Sequence, residues 1–250
     1  MSAPGVTCLI PAWNERARIG NVLAAVKDHP LIARVLVVDD GSTDGTADLV
    51  RGLGVDLLQS QSVPGKAGNL GKTGALALGL RAVDTPLVLL LDADLIGIDA
   101  DAVTRLIAPV QTGAASATIS LRGNSPLLWR LIGLDYISGE RVLPMALLQP
   151  RLEALTRLPR FGFEVFLNRM LIAEGLRVAV VRWPDVASPS KAGKHGLWRG
   201  IKGDLGMMRD IFRTIPPLQC LMQIGRLRRL ARLRPEGCHA AGVAIGRGRL

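Results

Sequence analysis

Three apolar runs in this sequence lead into polar segments that carry carboxylates. The strongest case is Leu87-Val88-Leu89-Leu90-Leu91, which runs into Asp92-Ala93-Asp94. In extended backbone, residues two apart project to the same side, which sets the two carboxylates about 7 Å apart across the small Ala93. That pair suits Mg²⁺ or Mn²⁺, which takes one or two protein carboxylates and completes its shell with water and substrate phosphates. The competing reading is a strand-end turn whose aspartates cap the next helix. A second run, Val35-Leu36-Val37-Val38, leads into Asp39-Asp40-Gly41-Ser42-Thr43-Asp44-Gly45-Thr46. A carboxylate here can accept hydrogen bonds from a nucleobase or ribose, Asp40 more readily than Asp39, which alternation turns to the other side. Ser42 or Thr43 is suited to cap the helix that follows. The first run, Val6 to Ile10, leads into Pro11-Ala12-Trp13-Asn14-Glu15, where Glu15 equally complements a helix dipole.

Gly71-Lys72-Thr73 matches the end of a phosphate loop, but Lys66 stands where that motif starts with glycine, and the segment follows a weak strand. Lys72 can still neutralise a diphosphate as a point charge near a helix N-terminus. No G-x-G-x-x-G follows the first strand, so a dinucleotide fold loses its main support.

The elements that must position these groups alternate at α/β spacing. Strands are expected at Val6–Ile10, Val35–Val38, Val55–Leu58, Leu87–Leu91, Ala114–Leu121 and Arg177–Val181. Helices are expected at about Arg16–Lys27, Thr46–Leu53, Lys72–Ala82, Ala100–Pro109, Leu127–Leu134, Pro144–Leu148 and Glu164–Glu174. Runs apolar on both faces imply a mostly parallel sheet covered by helices, and in such sheets ligands gather beyond the carboxyl ends of the strands. Trp198, Ile201, Leu205, Met208, Phe212 and Ile215 recur at helical spacing, and an Arg-rich helix from Leu218 to about Leu233 follows Pro216-Pro217.

Composition narrows the class. With 250 residues, 48% of them apolar, the chain can bury a large core. Cys8, Cys220 and Cys238 are an odd number at unrelated spacings, which argues against a disulfide framework or a cysteine zinc site. No apolar run reaches the length of a membrane span, so the expected place is the cytoplasm or a membrane surface. The formal charge is +10, and Met222 to Leu250 carry seven arginines against the single acid Glu236. A basic tail of this kind is usually a solvated or disordered end; an anionic partner such as membrane lipid is the next reading and nucleic acid the last. The sequence has no basic groove studded with aromatics of the kind nucleic acid needs.

Together, Pro11-Ala12-Trp13-Asn14-Glu15, Val37 to Thr46, Asn69-Leu70-Gly71-Lys72 with Ala75, and Leu91-Asp92-Ala93-Asp94 resemble the family 2 glycosyltransferases of the GT-A fold. The resemblance implies a Rossmann-like α/β domain over residues 1–215, with a nucleotide-sugar half at about 5–95, an acceptor half at 96–195, and a basic tail at 216–250. It implies a nucleotide-sugar donor, UDP- or GDP-linked, held by Pro11, Ala12, Asn14, Glu15, Asp39, Asp40, Lys72, Asp92 and Ala93, and Mg²⁺ or Mn²⁺ at Asp92 and Asp94. Ser138-Gly139-Glu140-Arg141 with Ser190-Lys191 resembles polyprenyl-phosphate sugar synthases. Ser138-Gly139-Glu140 with Phe161-Gly162-Phe163-Glu164-Val165 is also similar to glucosyl-3-phosphoglycerate synthases. The acceptor is accordingly expected to be a lipid phosphate or a small phosphorylated compound. Glu140 and Glu164 are the candidate bases should a hydroxyl attack. Where relatives carry a metal-binding histidine, spacing puts Ser188, with His195 seven residues on. A metal-dependent nucleotidyltransferase is the alternative of a different class.

Overall fold

The computed structural model describes residues 5–60, 69–155, 158, 162–189 and 215–232. Seven strands form one sheet: β1 (Val6–Ala12), β2 (Arg34–Asp39), β3 (Asp56–Gln59), β4 (Leu87–Leu90), β5 (Ala117–Arg122), β6 (Arg141–Pro144) and β7 (Val178–Trp183), in the order β3-β2-β1-β4-β6-β5-β7. All pairs are parallel except those of β6, which runs antiparallel between β4 and β5.

Helices cover both faces, which is why the central strands are apolar throughout. One face takes α1 (Ile19–Val26), α2 (Thr46–Gly52) and α4 (Ala100–Gln111), with Val22, Val26, Val50 and Leu106 packed on Cys8, Ile10, Val37 and Leu89. On the other face lie α3 (Gly71–Leu80), α5 (Leu127–Ile132), the short α6 (Met145–Leu148) and α7 (Leu152–Leu155), α8 (Gly162–Ala173) and α9 (Pro217–Arg232). There Leu9, Leu36, Val38 and Leu90 meet Leu76, Leu80, Phe163 and Leu227. Neighbouring residues of one strand thus feed opposite cores, as the two-residue period demands. Gly79 lets α3 lie close on the sheet, because a Cβ at this position would collide with the side chains of Leu9 and Val38.

The expected α/β alternation holds through the first half. The first helix begins at Ile19 rather than Arg16, since the preceding residues form a turn tied to the next strand's loop. The sequence reading did not pick out β6, which is only four residues long and includes a fully buried Arg141. The Arg-rich helix is present as α9, and it buries Cys220, Ile224 and Leu227 in the core. Most of the Trp198–Ile215 stripe, together with Phe161, Ser190, Lys191, His195 and Arg234, lies outside the described residues.

Candidate active site

The carboxyl ends of β1, β2 and β4 share one rim, because these strands are adjacent and parallel. Asp40 N donates to Ala12 O at 2.8 Å and Leu91 N to Leu9 O at 3.1 Å, so the ladder continues to the edge of the site. Beyond it the loops after β1 and β2 clasp each other. Asn14 N donates to Ser42 Oγ (2.8 Å), Thr43 N to Asn14 Oδ1 (2.8 Å), Glu15 N to Thr46 Oγ1 (3.0 Å) and Arg16 N to Asp44 Oδ2 (3.0 Å). The turn hydroxyls therefore serve the clasp instead of the expected cap. Gly45 is the N-cap of α2, and Asp44 Oδ1 receives the Thr46 amide.

Both aspartates of the second run are buried. Asp39 accepts from Ser42 N and Gln59 Nε2, each at 3.4 Å. Asp40 Oδ1 accepts from Leu70 N at 2.8 Å. Asp40 thereby anchors the residue just before α3, and α3 carries Lys72 in its first turn.

From there Lys72 Nζ reaches Asp92 Oδ1 at 2.5 Å and comes within 3.8 Å of Glu164 Oε1. Glu164, in the first turn of α8, is 6% exposed and borders the same cleft as Pro11, Lys72, Asp92 and Gly139. The two carboxylates hold the ammonium charged and raise its pKa, outweighing the partial loss of solvent around it. Reciprocally, Lys72 holds the Asp92 carboxyl below its ordinary range, against the opposing effect of burial. Asp94 behaves differently. Burial raises its pKa, and repulsion from Asp92 and Glu15 adds to the shift. Ala12 and Ala93 are buried behind these groups and act as packing.

The helix-capping reading of Asp92-Ala93-Asp94 fails, because the cap of α4 is Asp99, whose Oδ1 accepts from Ala102 N at 2.7 Å. The two aspartates are hard oxygen donors, and a bound dication would relieve the repulsion that raises Asp94, so they fit Mg²⁺ or Mn²⁺. Among the described residues no group of three or more His, Cys, Asp or Glu is arranged as a metal site. A cation here could take donor phosphates and water into its shell beside the two aspartates.

Two contributors were not recognised as such in the sequence. Gly139 packs its Cα against the ion pair: a Cβ there would lie 2.8 Å from Lys72 Nζ and 3.0 Å from Asp92 Oδ1. Arg122 ends β5 as Asp39 ends β2, a charged strand end that is itself a signal in the sequence. Its guanidinium meets Glu140 Oε1 at 2.8 Å and Asp135 Oδ2 at 3.6 Å, and donates to Ser188 Oγ. Glu140 is fully buried, and its other oxygen accepts from Ser120 Oγ (2.7 Å) and Ser138 Oγ (2.8 Å). The structure therefore brings Asp92, Asp94, Lys72 and Glu164 together, and sets Glu140 in a closed network behind them. Ser188, at the position where a histidine was in question, is held by Arg122 and by Asn124, whose Nδ2 donates to Ser188 O at 2.7 Å.

Residues 7–173 match the family model for glycosyl transferase family 2. The chain belongs to that family. An uncharacterized glycosyltransferase of Mycobacterium tuberculosis is 28% identical over 233 residues, 86% of this chain and 100% of the relative. A 4,4'-diaponeurosporenoate glycosyltransferase of Staphylococcus aureus is 32% identical over 118 residues, 47% of this chain and 31% of that protein. Among solved structures, glucosyl-3-phosphoglycerate synthase of M. tuberculosis, in complex with Mn²⁺, UDP and glucosyl-3-phosphoglycerate, superposes with a TM-score of 0.66 at 25% identity, covering 89% of this chain and 80% of that one. The same enzyme with Mn²⁺, UDP-glucose and glycerol 3-phosphate gives a TM-score of 0.65 at 26% identity over the same shares. These findings establish the GT-A-like fold and glycosyl transfer from a nucleotide-sugar donor, in place of the nucleotidyltransferase alternative.

Proposed function

We propose that this family 2 glycosyltransferase moves a sugar from a UDP-sugar to a phosphate-bearing acceptor, with a polyprenyl phosphate as the first choice and a soluble ester such as 3-phosphoglycerate as the second. The observation that carries the reading is the Lys72–Asp92 ion pair beyond the ends of the central strands, with Asp94 in the field of both, beside the clasped loops of Asn14, Glu15 and Asp40. The solved relatives support it through the uridine nucleotides and phosphorylated acceptors they contain.

Asn14, Glu15 and Asp40 face the nucleoside, with Pro11, Ala12 and Asp39 shaping the floor beneath it. Asp92 and Asp94 would hold Mg²⁺ or Mn²⁺, which supplies charge neutralisation to the leaving diphosphate. Lys72 adds a fixed positive charge on the same side, where negative charge develops as the anomeric bond breaks. The acceptor oxygen forms the new bond to the anomeric carbon while the donor's diphosphate oxygen departs with the bonding electrons. A phosphate monoester is already ionised at neutral pH and requires no strong base. For a hydroxyl acceptor, Glu164 is the carboxylate bordering the cleft, whereas both oxygens of Glu140 are engaged elsewhere.

The test is metal-dependent hydrolysis of UDP- and GDP-sugars, followed by addition of polyprenyl phosphate or 3-phosphoglycerate in separate arms. Transfer to either phosphate supports the proposal, and the responding arm names the source. Turnover with a phosphate-free acceptor alone refutes it.

A further inference from the structure

Among the described residues, eight large apolar side chains are exposed, and six of them belong to two helices: Leu127, Leu128 and Leu131 on α5, and Leu218, Leu221 and Met222 on α9. The exposures are high, reaching 76% at Leu131 and 69% at Leu218. Single exposed leucines are ordinary, but clusters of this kind mark an interaction surface. Neither helix lacks a core of its own. α5 buries Trp129, and α9 buries Cys220, Ile224 and Leu227 on the opposite side of its barrel. The exposed apolar residues are therefore additional to what the fold needs.

The two helices are also linked. The Trp129 ring packs on Tyr136 with centroids 6.0 Å apart, and the Tyr136 hydroxyl bonds Gln223 Oε1 of α9 at 2.7 Å. Charge decides the occupant. Arg130 is exposed between the leucines of α5, and Arg226 and Arg229 continue the exposed face of α9 at helical spacing from Met222. Neither helix contains an acidic residue. Apolar side chains beside arginine, on helices too short to cross a bilayer, suit the boundary between acyl chains and anionic headgroups.

We infer that α5 and α9 together form a docking face for an anionic lipid bilayer. The chain after α5 runs directly through Asp135 and Ser138 to Gly139, which packs against Lys72 and Asp92. Docking by α5 thus places a bilayer one short segment from the cleft. This rests on the lipid-phosphate reading of the acceptor for its purpose, although the contact itself needs no substrate.

The experiment is flotation of the full chain with phosphatidylcholine vesicles, with and without phosphatidylglycerol. The wild type is expected to float with the anionic vesicles only, and less as salt rises. A variant carrying Leu127→Ser, Leu131→Ser, Leu218→Ser and Leu221→Ser should stay in the soluble fraction with an unchanged melting temperature and unchanged UDP-sugar hydrolysis. Arg226→Gln with Arg229→Gln should bind anionic vesicles about 25-fold more weakly, at about 5-fold per charge near the surface. Failure of the wild type to float, or flotation undiminished in the leucine variant, overturns the inference. So does a dimer in sedimentation that the leucine variant dissolves while vesicle binding is absent. Flotation combined with transfer only to soluble 3-phosphoglycerate would uphold the docking face and overturn the lipid acceptor, so the two failures are distinguishable.

Discussion

Replacing Gly139 with alanine inserts one methyl group into the tightest part of the site. The added carbon would sit 2.8 Å from Lys72 Nζ and 3.0 and 3.2 Å from the two Asp92 carboxylate oxygens. The lysine end is the softer neighbour and must retreat by about 0.6 Å to reach ordinary van der Waals distance. Starting from the 2.5 Å contact with Asp92, that retreat removes on the order of 1 kcal/mol at an effective dielectric of about 20. Lys72 is 43% exposed, so solvent screening reduces the cost to the fold further. The melting temperature should accordingly fall by no more than about 2–4 °C. Catalysis should suffer far more, because a charged contact to the donor diphosphate is worth about 1.5–3 kcal/mol, which is about 10- to 100-fold in kcat/KM. Steady-state kinetics on Gly139→Ala, Lys72→Met and the double variant provide the check. If the methyl acts by displacing Lys72, the double variant is no worse than Lys72→Met alone. Additive losses, or a collapse in stability with activity per folded molecule preserved, would refute the reasoning.

Further outcomes follow from the same geometry. Asp94→Asn should abolish most Mn²⁺-dependent donor binding while leaving the melting temperature near wild type. In the wild type, the raised Asp94 pKa means that protons displace the metal at a higher pH than an unperturbed aspartate, near 3.9, would allow. Calorimetric Mn²⁺ titrations at descending pH measure this, and affinity indifferent to pH in the acid range would contradict it. Asp40→Ala should raise the donor KM more than it lowers kcat, since it loosens the Leu70 anchor and the nucleoside floor without touching the reacting atoms. An intact KM with a collapsed kcat would place Asp40 in the chemistry instead. Glu140→Gln should cost stability, up to about 3–5 kcal/mol for a broken buried pair, with a modest change in kcat. Glu164→Gln should show the reverse pattern in paired denaturation and turnover measurements.

The first half was legible because its central strands are buried on both faces and two of them lead into paired aspartates, signals that do not depend on distant contacts. Val6 to Ala12, Arg34 to Asp39 and Leu87 to Leu90 announce themselves by apolar runs; β2 ends on Asp39, and Asp92 follows β4 by two residues. The second half hid its key strand. Arg141–Pro144 has the length of a turn, and only its pairing with β4 and β5 makes it a strand. Burial of Arg141 is made possible by Ser138 O, Asn168 Oδ1 and Tyr136 O, partners up to 27 residues away that no local pattern reveals. Glu140 illustrates the same limit, since its chemical type suggested a base and only the positions of Arg122, Ser120 and Ser138 show it to be engaged. The Gly/Ser/Thr turn was recognised as special, but its role as a clasp on the loop after β1 depends on strand adjacency, and composition favoured a cap.

The antiparallel insertion of β6 has a consequence for the order of events during synthesis. The strands β1 to β4, with Asp40, Lys72 and both aspartates of the triplet, emerge from the ribosome first and contain the polar groups proposed to contact the donor. Gly139, which closes over the Lys72–Asp92 pair, arrives only when β6 zips onto β4, with Leu90 opposite Arg141. That pairing spans about fifty residues and must wait for loop closure, so it belongs to the slow, late part of folding. A nascent or truncated chain would therefore carry Lys72 and Asp92 without Gly139 packed against them. On the proposed site, the Lys72–Asp92 pair would reach its final surroundings only when β6 is in place.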